Sequence, residues 1–173
     1  MITCVTAPSR SGTSLTMQML QAADVPLWWD ALPNRTAWNP RGHFEINTRK
    51  NNDWTILLPL CEGRAIKVMP FDLYRLTPDH EYRFITILRN PTAVDASQQA
   101  AVEFRGAKMS DADKTKEWQR YTLDFIKDYP HVIVNFDDLF NGKAQQSIGE
   151  FMGFDDLQIA KMNDCVDPEL RHF

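Results

Sequence analysis

The sequence predicts an α/β fold, in which a mostly parallel sheet lies between two layers of helices (α/β/α). Short apolar runs rich in β-branched residues alternate along the chain with helical patterns, which is the order of elements in parallel α/β domains. The clearest of these runs, residues 84–88, is apolar or β-branched throughout, as expected of a strand covered on both faces. With 173 residues, the chain has the length of one domain, and we expect a single domain over residues 1–173.

The elements can be placed in order from their composition and from the residues that end them. Pro70 stops the second strand, Asn90-Pro91 begins a helix, and Pro130 stops another, because proline cannot continue a helix or a central strand but suits a first helical position. The predicted strands are Ile2–Thr6, Ala65–Met69, Phe84–Leu88 and His131–Asn135, the last as a buried strand. The predicted helices span residues 13–23, 47–58 (ending before Pro59), 91–104, 114–129, 145–152 and 156–162.

Composition excludes several classes of protein. The net charge of -4 disfavours non-specific binding to nucleic acid or to a membrane surface. The three cysteines are widely spaced and include no C-x-x-C pair, so we expect neither a disulfide framework nor a metal site. The N-terminal residues lack the basic and long apolar regions of a signal peptide, and no apolar run is long enough to span a membrane. We therefore expect a cytoplasmic protein; the oligomeric state is left open.

The first predicted strand leads into a phosphate-binding type of loop. Residues 7–14 read A-P-S-R-S-G-T-S and stand between a strand and a helix, where the backbone N–H groups of the helix start can bind a phosphate. A Walker A loop has its lysine where this chain has Thr13, and the cation stands inside the loop instead, as Arg10. This pattern favours the binding of one phosphate-like group, together with a second group next to it, over the binding of a triphosphate with magnesium. The alternative is a serine- and glycine-rich loop without a ligand.

A second candidate phosphate site follows the third predicted strand. Arg89 stands at the carboxyl end of that strand, directly before the start of a helix. A guanidinium beside the positive end of a helix dipole favours phosphate binding. Ser97 lies about two turns along the same helix, roughly 9 Å along its axis, so a phosphate beside the helix could contact both residues. The alternative is an arginine in a salt bridge and a serine on the helix surface.

Both segments resemble the sulfotransferase family, whose donor is 3′-phosphoadenosine 5′-phosphosulfate (PAPS) and whose nucleotide product is 3′-phosphoadenosine 5′-phosphate (PAP). The first resembles the 5′-phosphosulfate loop, P-[SK]-[RK]-S-G-T-[ST], and the second the 3′-phosphate motif, R-[DN]-P with a serine eight residues after the arginine. The resemblance is to small members of bacterial or phage type, covers Ile2 to about Phe154, and implies the P-loop nucleotide-binding-like sulfotransferase fold. The nucleotide-binding residues that it implies are Ser9, Arg10, Ser11, Gly12, Thr13, Ser14, Arg89 and Ser97, with Arg171 as a further candidate.

The resemblance also suggests groups that stabilise the leaving phosphate. Residues 66–70 resemble the family's K-[TS]-H-x-P strand, with the proline one residue early. By that match, Lys67 would stabilise the departing oxygen together with Arg10, whereas the alternative for Lys67 is a strand-end lysine in water. Cytosolic members carry a catalytic histidine where this chain has Met69, and a thioether cannot accept a proton.

The general base is therefore expected on another segment. Residues 42–45, G-H-F-E, resemble the G-[YFH]-[FW]-E stretch of bacterial and Golgi-type sulfotransferases, in which a glutamate is the base. We predict Glu45 as the base, with His43 as the second candidate. The alternative for Glu45 is a surface acid paired with Arg41 or Arg49.

The leading hypothesis is an enzyme that transfers a sulfuryl group from PAPS, without a metal, to a small-molecule or glycan acceptor. The segment Trp28–Trp38 is expected to line the acceptor side, and Trp54 is a candidate for stacking on adenine, although core packing is the commoner role of a tryptophan. A non-catalytic PAPS- or PAP-binding protein is the second hypothesis, because Met69 replaces the histidine and the family's C-terminal glycine-rich loop has no counterpart. A small-molecule kinase with a degenerate P-loop is the third, against which Thr13 counts.

Overall fold

A computed structural model of the chain describes residues 1–29, 42–46, 53–105 and 111–167, and in this part of the chain four strands form one sheet. They are β1 (Ile2–Thr6), β2 (Ala65–Val68), β3 (Tyr82–Leu88) and β4 (His131–Asn135). Their order across the sheet is β2-β1-β3-β4, and each pairs with its neighbour in parallel. The carboxyl end of β1 therefore lies between those of β2 and β3, where the two candidate phosphate motifs meet.

Helices cover both faces of this sheet. On one face, side chains of α1, α5 and α6 pack against Val5 and Ile85. On the other face, side chains of α2 and α4 pack against Cys4 and Phe84. Because neighbouring strand residues point to opposite faces, the two apolar cores are separate and the predicted α/β/α order is confirmed. In the described part of the chain, the α-helices are α1 (Thr13–Ala22), α2 (Trp54–Leu60), α3 (Pro91–Arg105), α4 (Ala112–Ile126), α5 (Lys143–Met152) and α6 (Asp156–Asp164), and 3₁₀ helices span Pro70–Arg75 and Phe136–Phe140.

The predicted end of the second helix is wrong. We expected it to stop before Pro59, but α2 continues through that residue to Leu60. Its start is set by Asp53, whose side chain accepts a hydrogen bond from the Thr55 backbone N–H at 3.0 Å. Proline near the end of so short a helix removes one backbone bond without blocking the turns before it. The first part of the prediction, residues 47–52, lies outside the described residues.

The fourth strand and the helix before it also differ from expectation. β4 was predicted to be buried, but it lies at the edge of the described sheet, where Ile133 is 43% exposed and Val134 is buried. α4 begins earlier than predicted, because Asp111 accepts a hydrogen bond from the Lys114 backbone N–H at 2.8 Å and so caps it. It ends at Ile126, a turn before Pro130.

Two of the three cysteines are core residues. Cys4 and Cys61 are free and buried, and burial raises the pKa of Cys61 to about 12 and that of Cys4 well above its ordinary value. Both thiols therefore stay protonated near neutral pH and pack as small apolar groups. Within the described residues, no helix is both long and apolar enough to cross a membrane.

Candidate functional site

The loop after β1 is shaped by two left-handed residues. Arg10 has a φ of 71° and Gly12 a φ of 92°, and Gly12 is the N-cap of α1. Glycine is required here for two reasons. It adopts this conformation at little cost, and a Cβ at this position would lie only 2.6 Å from the Leu139 Cδ1 atom. The loop can therefore turn tightly into α1, whose N-cap residue has no side chain to bond to the first backbone N–H groups of the helix.

A buried hydroxyl in this loop fits a phosphate ligand. Ser11 is fully buried, and its Oγ atom has no hydrogen-bond partner among the described residues. An unsatisfied buried polar group costs about 1–3 kcal/mol, and a phosphate oxygen is an acceptor that would satisfy it. Thr13 is also buried, and Ser9 is half-buried in the same loop.

The two candidate phosphate motifs are in direct contact, although they are far apart in sequence. The Arg10 Nε atom donates to the Ser97 hydroxyl at 3.1 Å, and the Arg89 Nη1 atom donates to the Arg10 carbonyl at 2.6 Å. Arg89 is 8% exposed and Ser97 is 2% exposed. The alternative of a surface serine is therefore wrong. Two guanidinium groups and a hydroxyl instead converge at the carboxyl ends of β1 and β3.

Lys67 brings a third cation to the same edge of the sheet. Its side chain is only 6% exposed, so the alternative of a lysine in water is wrong. The Nζ atom donates to the Ser14 hydroxyl at 3.2 Å, to the His43 carbonyl at 3.2 Å, and to Glu45 Oε1 at 3.3 Å. Three oxygens thus surround the ammonium group, and one of them belongs to the phosphate loop.

Residues 42–46, which include the two candidate bases, lie next to β2. Glu45 forms a parallel bridge with Lys67, and Phe44 between the two candidates has a φ of 53°. A left-handed non-glycine residue is strained, and here its ring is held in the core, edge-on to Trp29 at 5.4 Å. His43 is 8% exposed, whereas the Glu45 side chain is 53% exposed. The structure therefore brings Glu45, rather than the His43 ring, out of the core beside Lys67.

The sequence also singles out tryptophans and further arginines. Trp54 is 5% exposed and packs in the core beneath β1 and β2. Its role is therefore core packing rather than stacking on adenine. Trp28 and Trp29 are partly buried against the two cores, and the rest of the proposed acceptor segment lies outside the described residues. Arg171 also lies outside them, as do Arg41 and Arg49, the alternative partners of Glu45.

Sequence reasoning missed Gln119, which helps to hold the site. Its Nε2 atom donates to the Arg89 carbonyl at 2.7 Å and so ties the end of β3 to α4. A glutamine in a helix carries no signal that could have identified it. Met69, where the resemblance places a histidine, has an extended backbone and precedes the 3₁₀ helix Pro70–Arg75.

Comparison with known proteins gives the fold of the chain. No protein-family model and no curated protein matches the sequence. Among solved structures, the chain is similar to mouse sulfotransferase SULT7A1 complexed with PAP, at 17% identity and a TM-score of 0.56, over 94% of this chain and 62% of that one. It is also similar to the sulfotransferase domain of the Synechococcus PCC 7002 olefin synthase, at 16% identity and a TM-score of 0.53, over 99% and 82% of the two chains.

A third similar structure is a sulfotransferase from Alicyclobacillus acidocaldarius, at 15% identity and a TM-score of 0.54, over 98% of this chain and 87% of that one. The chain thus spans less than two thirds of the mouse enzyme but most of the two bacterial structures. The parallel sheet with helices on both faces agrees with these neighbours. This chain therefore has the sulfotransferase fold.

Proposed function

We propose that this protein transfers a sulfuryl group from PAPS to the hydroxyl or amine of an acceptor, a small molecule or a glycan. The observation that carries the proposal is the contact between the two phosphate motifs, in which Arg10 bonds to Ser97 and Arg89 bonds to Arg10. A nucleotide with phosphates on both its 5′ and 3′ sides matches two adjacent cationic sites. PAP is such a nucleotide, and the mouse structure with this fold contains it.

The described side chains supply the roles that such a transfer needs. The S–O bond to the 5′-phosphate breaks as a bond from sulfur to the acceptor oxygen or nitrogen forms. Glu45 takes the proton of the acceptor. Lys67 and Arg10 stabilise the negative charge that develops on the departing phosphate oxygen. Lys67 lies beside Ser14 in the first turn of α1, and Arg10 stands in the loop just before that helix, which supports this assignment.

The proposal predicts that PAP binds more tightly than adenosine 5′-phosphate (AMP). Arg89 and Ser97 would add charge-assisted hydrogen bonds to the 3′-phosphate, worth about 1.5–3 kcal/mol or roughly tenfold to hundredfold in Kd. Calorimetric titration with PAP, AMP and ATP measures this preference directly. Arg89→Ala should abolish it, whereas Arg120→Ala, at an exposed position on α4, should leave it intact. Equal wild-type affinities for PAP and AMP would contradict the proposal, and a preference for ATP would favour a kinase.

Arg10 should contribute to binding on the 5′ side. We expect Arg10→Ala to weaken PAP binding about tenfold to hundredfold, since it removes one charge-assisted contact. Alanine keeps the backbone carbonyl that accepts from Arg89, and it bears the same left-handed strain as any residue with a Cβ. The loss can therefore be assigned to the guanidinium. Arg10→Lys, which retains the charge, should recover part of the affinity, and an unchanged Kd in a folded Arg10→Ala protein would rule out this role.

A non-catalytic PAP-binding protein is the second candidate function, because Met69 stands where the resemblance places the family's histidine. Turnover distinguishes the two candidates. The enzyme would release PAP from sulfur-labelled PAPS in the presence of a panel of phenols, alcohols, amines and sugars. Tight PAP binding without turnover on any of them would favour the binding protein.

A further inference from the structure

The ring of Phe136 lies against the guanidinium group of Arg89 at the carboxyl edge of the sheet. The Arg89 Cζ atom is 3.9 Å from the centroid of the ring, well inside the distance of about 6 Å at which a cation and a ring face attract each other. Arg89 is 8% exposed, so water competes little for the guanidinium. Such desolvated pairs are the stronger ones of their kind.

This contact places the ring of Phe136 over the Cζ atom at the centre of the guanidinium. The five N–H donors of an arginine lie in the plane of the group. One of them, on Nη1, donates to the Arg10 carbonyl at 2.6 Å. Contact with the ring therefore limits the movement of the guanidinium, and the hydrogen bond to the Arg10 carbonyl limits its rotation. Bidentate binding of a phosphate depends on both.

Phe136 is itself held between the two candidate phosphate sites. It is the first residue of the 3₁₀ helix that follows β4, and Phe140 lies edge-on to it with 5.3 Å between the ring centroids. On its other side is the phosphate loop, because a Cβ added to Gly12 would lie 3.2 Å from the Phe136 Cδ2 atom. One side chain thus contacts the loop and stacks on the arginine of the second motif.

We propose that Phe136 is a positioning residue that sets the preference for a 3′-phosphorylated nucleotide by fixing the guanidinium of Arg89. The inference rests on the proposed function, because it takes the 3′-phosphate as the ligand of Arg89. A leucine at this position would fill most of the space but would offer neither a flat face nor the negative ring face that attracts a cation. A tyrosine would offer both.

The experiment measures the ratio of the dissociation constants for AMP and PAP by calorimetry. In Phe136→Leu we expect this ratio to fall about tenfold, with the affinity for AMP nearly unchanged. Phe136→Tyr should keep the ratio close to that of the wild type. Phe154→Leu is the matched control, since it removes an aromatic ring packed against the same core and should leave the ratio unchanged. Should Phe136→Leu fail to fold, Phe136→Met makes the same comparison.

A double-mutant cycle shows whether Phe136 acts through Arg89. In an Arg89→Ala background, Phe136→Leu should not lower the ratio further, because the group that the ring positions is gone. If the two substitutions are additive, or if Phe136→Leu weakens AMP and PAP by the same factor, the positioning role is contradicted. A wild-type ratio near one would contradict the proposed function and this role with it. A high wild-type ratio that Phe136→Leu leaves unchanged would overturn the role of Phe136 alone.

Discussion

Replacing Glu45 by glutamine should lower the turnover of PAPS by about 10²–10⁴-fold, the usual contribution of a general base, while the affinity for PAP stays nearly constant. Glutamine keeps the shape of the side chain and the Oε1 acceptor but cannot take up a proton from the acceptor substrate. Turnover is measured with sulfur-labelled PAPS and the best acceptor from the panel, and PAP affinity by calorimetry. Equal turnover of Glu45→Gln and wild type would show that Glu45 is not the base.

Loss of the ion pair between Glu45 and Lys67 is a second possible cause of lower turnover in Glu45→Gln. The size of the turnover loss distinguishes the two causes. The pair measures 3.3 Å, and the Glu45 side chain is 53% exposed. A pair so open to water is worth about 0.2–1 kcal/mol, which corresponds to a loss of about fivefold or less. A loss of 10²-fold or more therefore exceeds what the weakened ion pair explains and points to proton transfer.

His43 is the control for this assignment. Its backbone carbonyl, which every substitution retains, accepts from Ser14 and Lys67, and its side chain is buried. His43→Asn keeps a polar group at the position and should retain most of the turnover. If His43→Asn is inactive while Glu45→Gln turns over like wild type, then His43 is the base and our assignment is wrong.

The sequence predicted the sheet and the segments of the site because their signals are local. A run such as F-I-T-I-L, or a serine- and glycine-rich loop between a strand and a helix, is contained in fewer than ten residues. Parallel strands bring their carboxyl ends to one edge of the sheet, and the structure places the loop and Arg89 together at that edge. Arg10 of the loop also contacts Ser97 of the second motif, at 3.1 Å.

Features that depend on the position of an element in the fold could not be predicted in this way. β4 has an apolar composition like β3, but it lies at the edge of the described sheet and is largely exposed. Lys67 contacts residues that lie 22 to 53 positions away in the sequence. Phe136 and Arg89, which are in contact, lie 47 positions apart. Neither contact has a local pattern. Such pairings are set by the three-dimensional packing and appear only in the structure.

Lys67→Met should lower turnover by about 10²–10³-fold, the usual cost of removing one preorganised group that stabilises charge in the transition state. The methionine side chain is similar in length and unbranched, so it fills the space of the lysine stem without the charge. Because the partner carboxylate of Glu45 is 53% exposed, water can solvate it once the ammonium group is gone. We therefore expect loss of activity without a large loss of stability, unlike the cost of leaving a buried charge unpaired.

Lys116→Met is the matched control for this variant, since its side chain is 65% exposed on α4 and it loses the same unit of charge. Turnover, PAP affinity and thermal unfolding are compared for both variants and the wild type. A role in stabilising the leaving group predicts that Lys67→Met alone loses turnover, with a smaller change in PAP affinity and a cooperative unfolding transition near that of wild type. If Lys67→Met retains turnover, the leaving oxygen is stabilised by other groups, with Arg10 the next to test. If it instead loses PAP binding and turnover by the same factor, Lys67 acts on the bound nucleotide and not on the transition state.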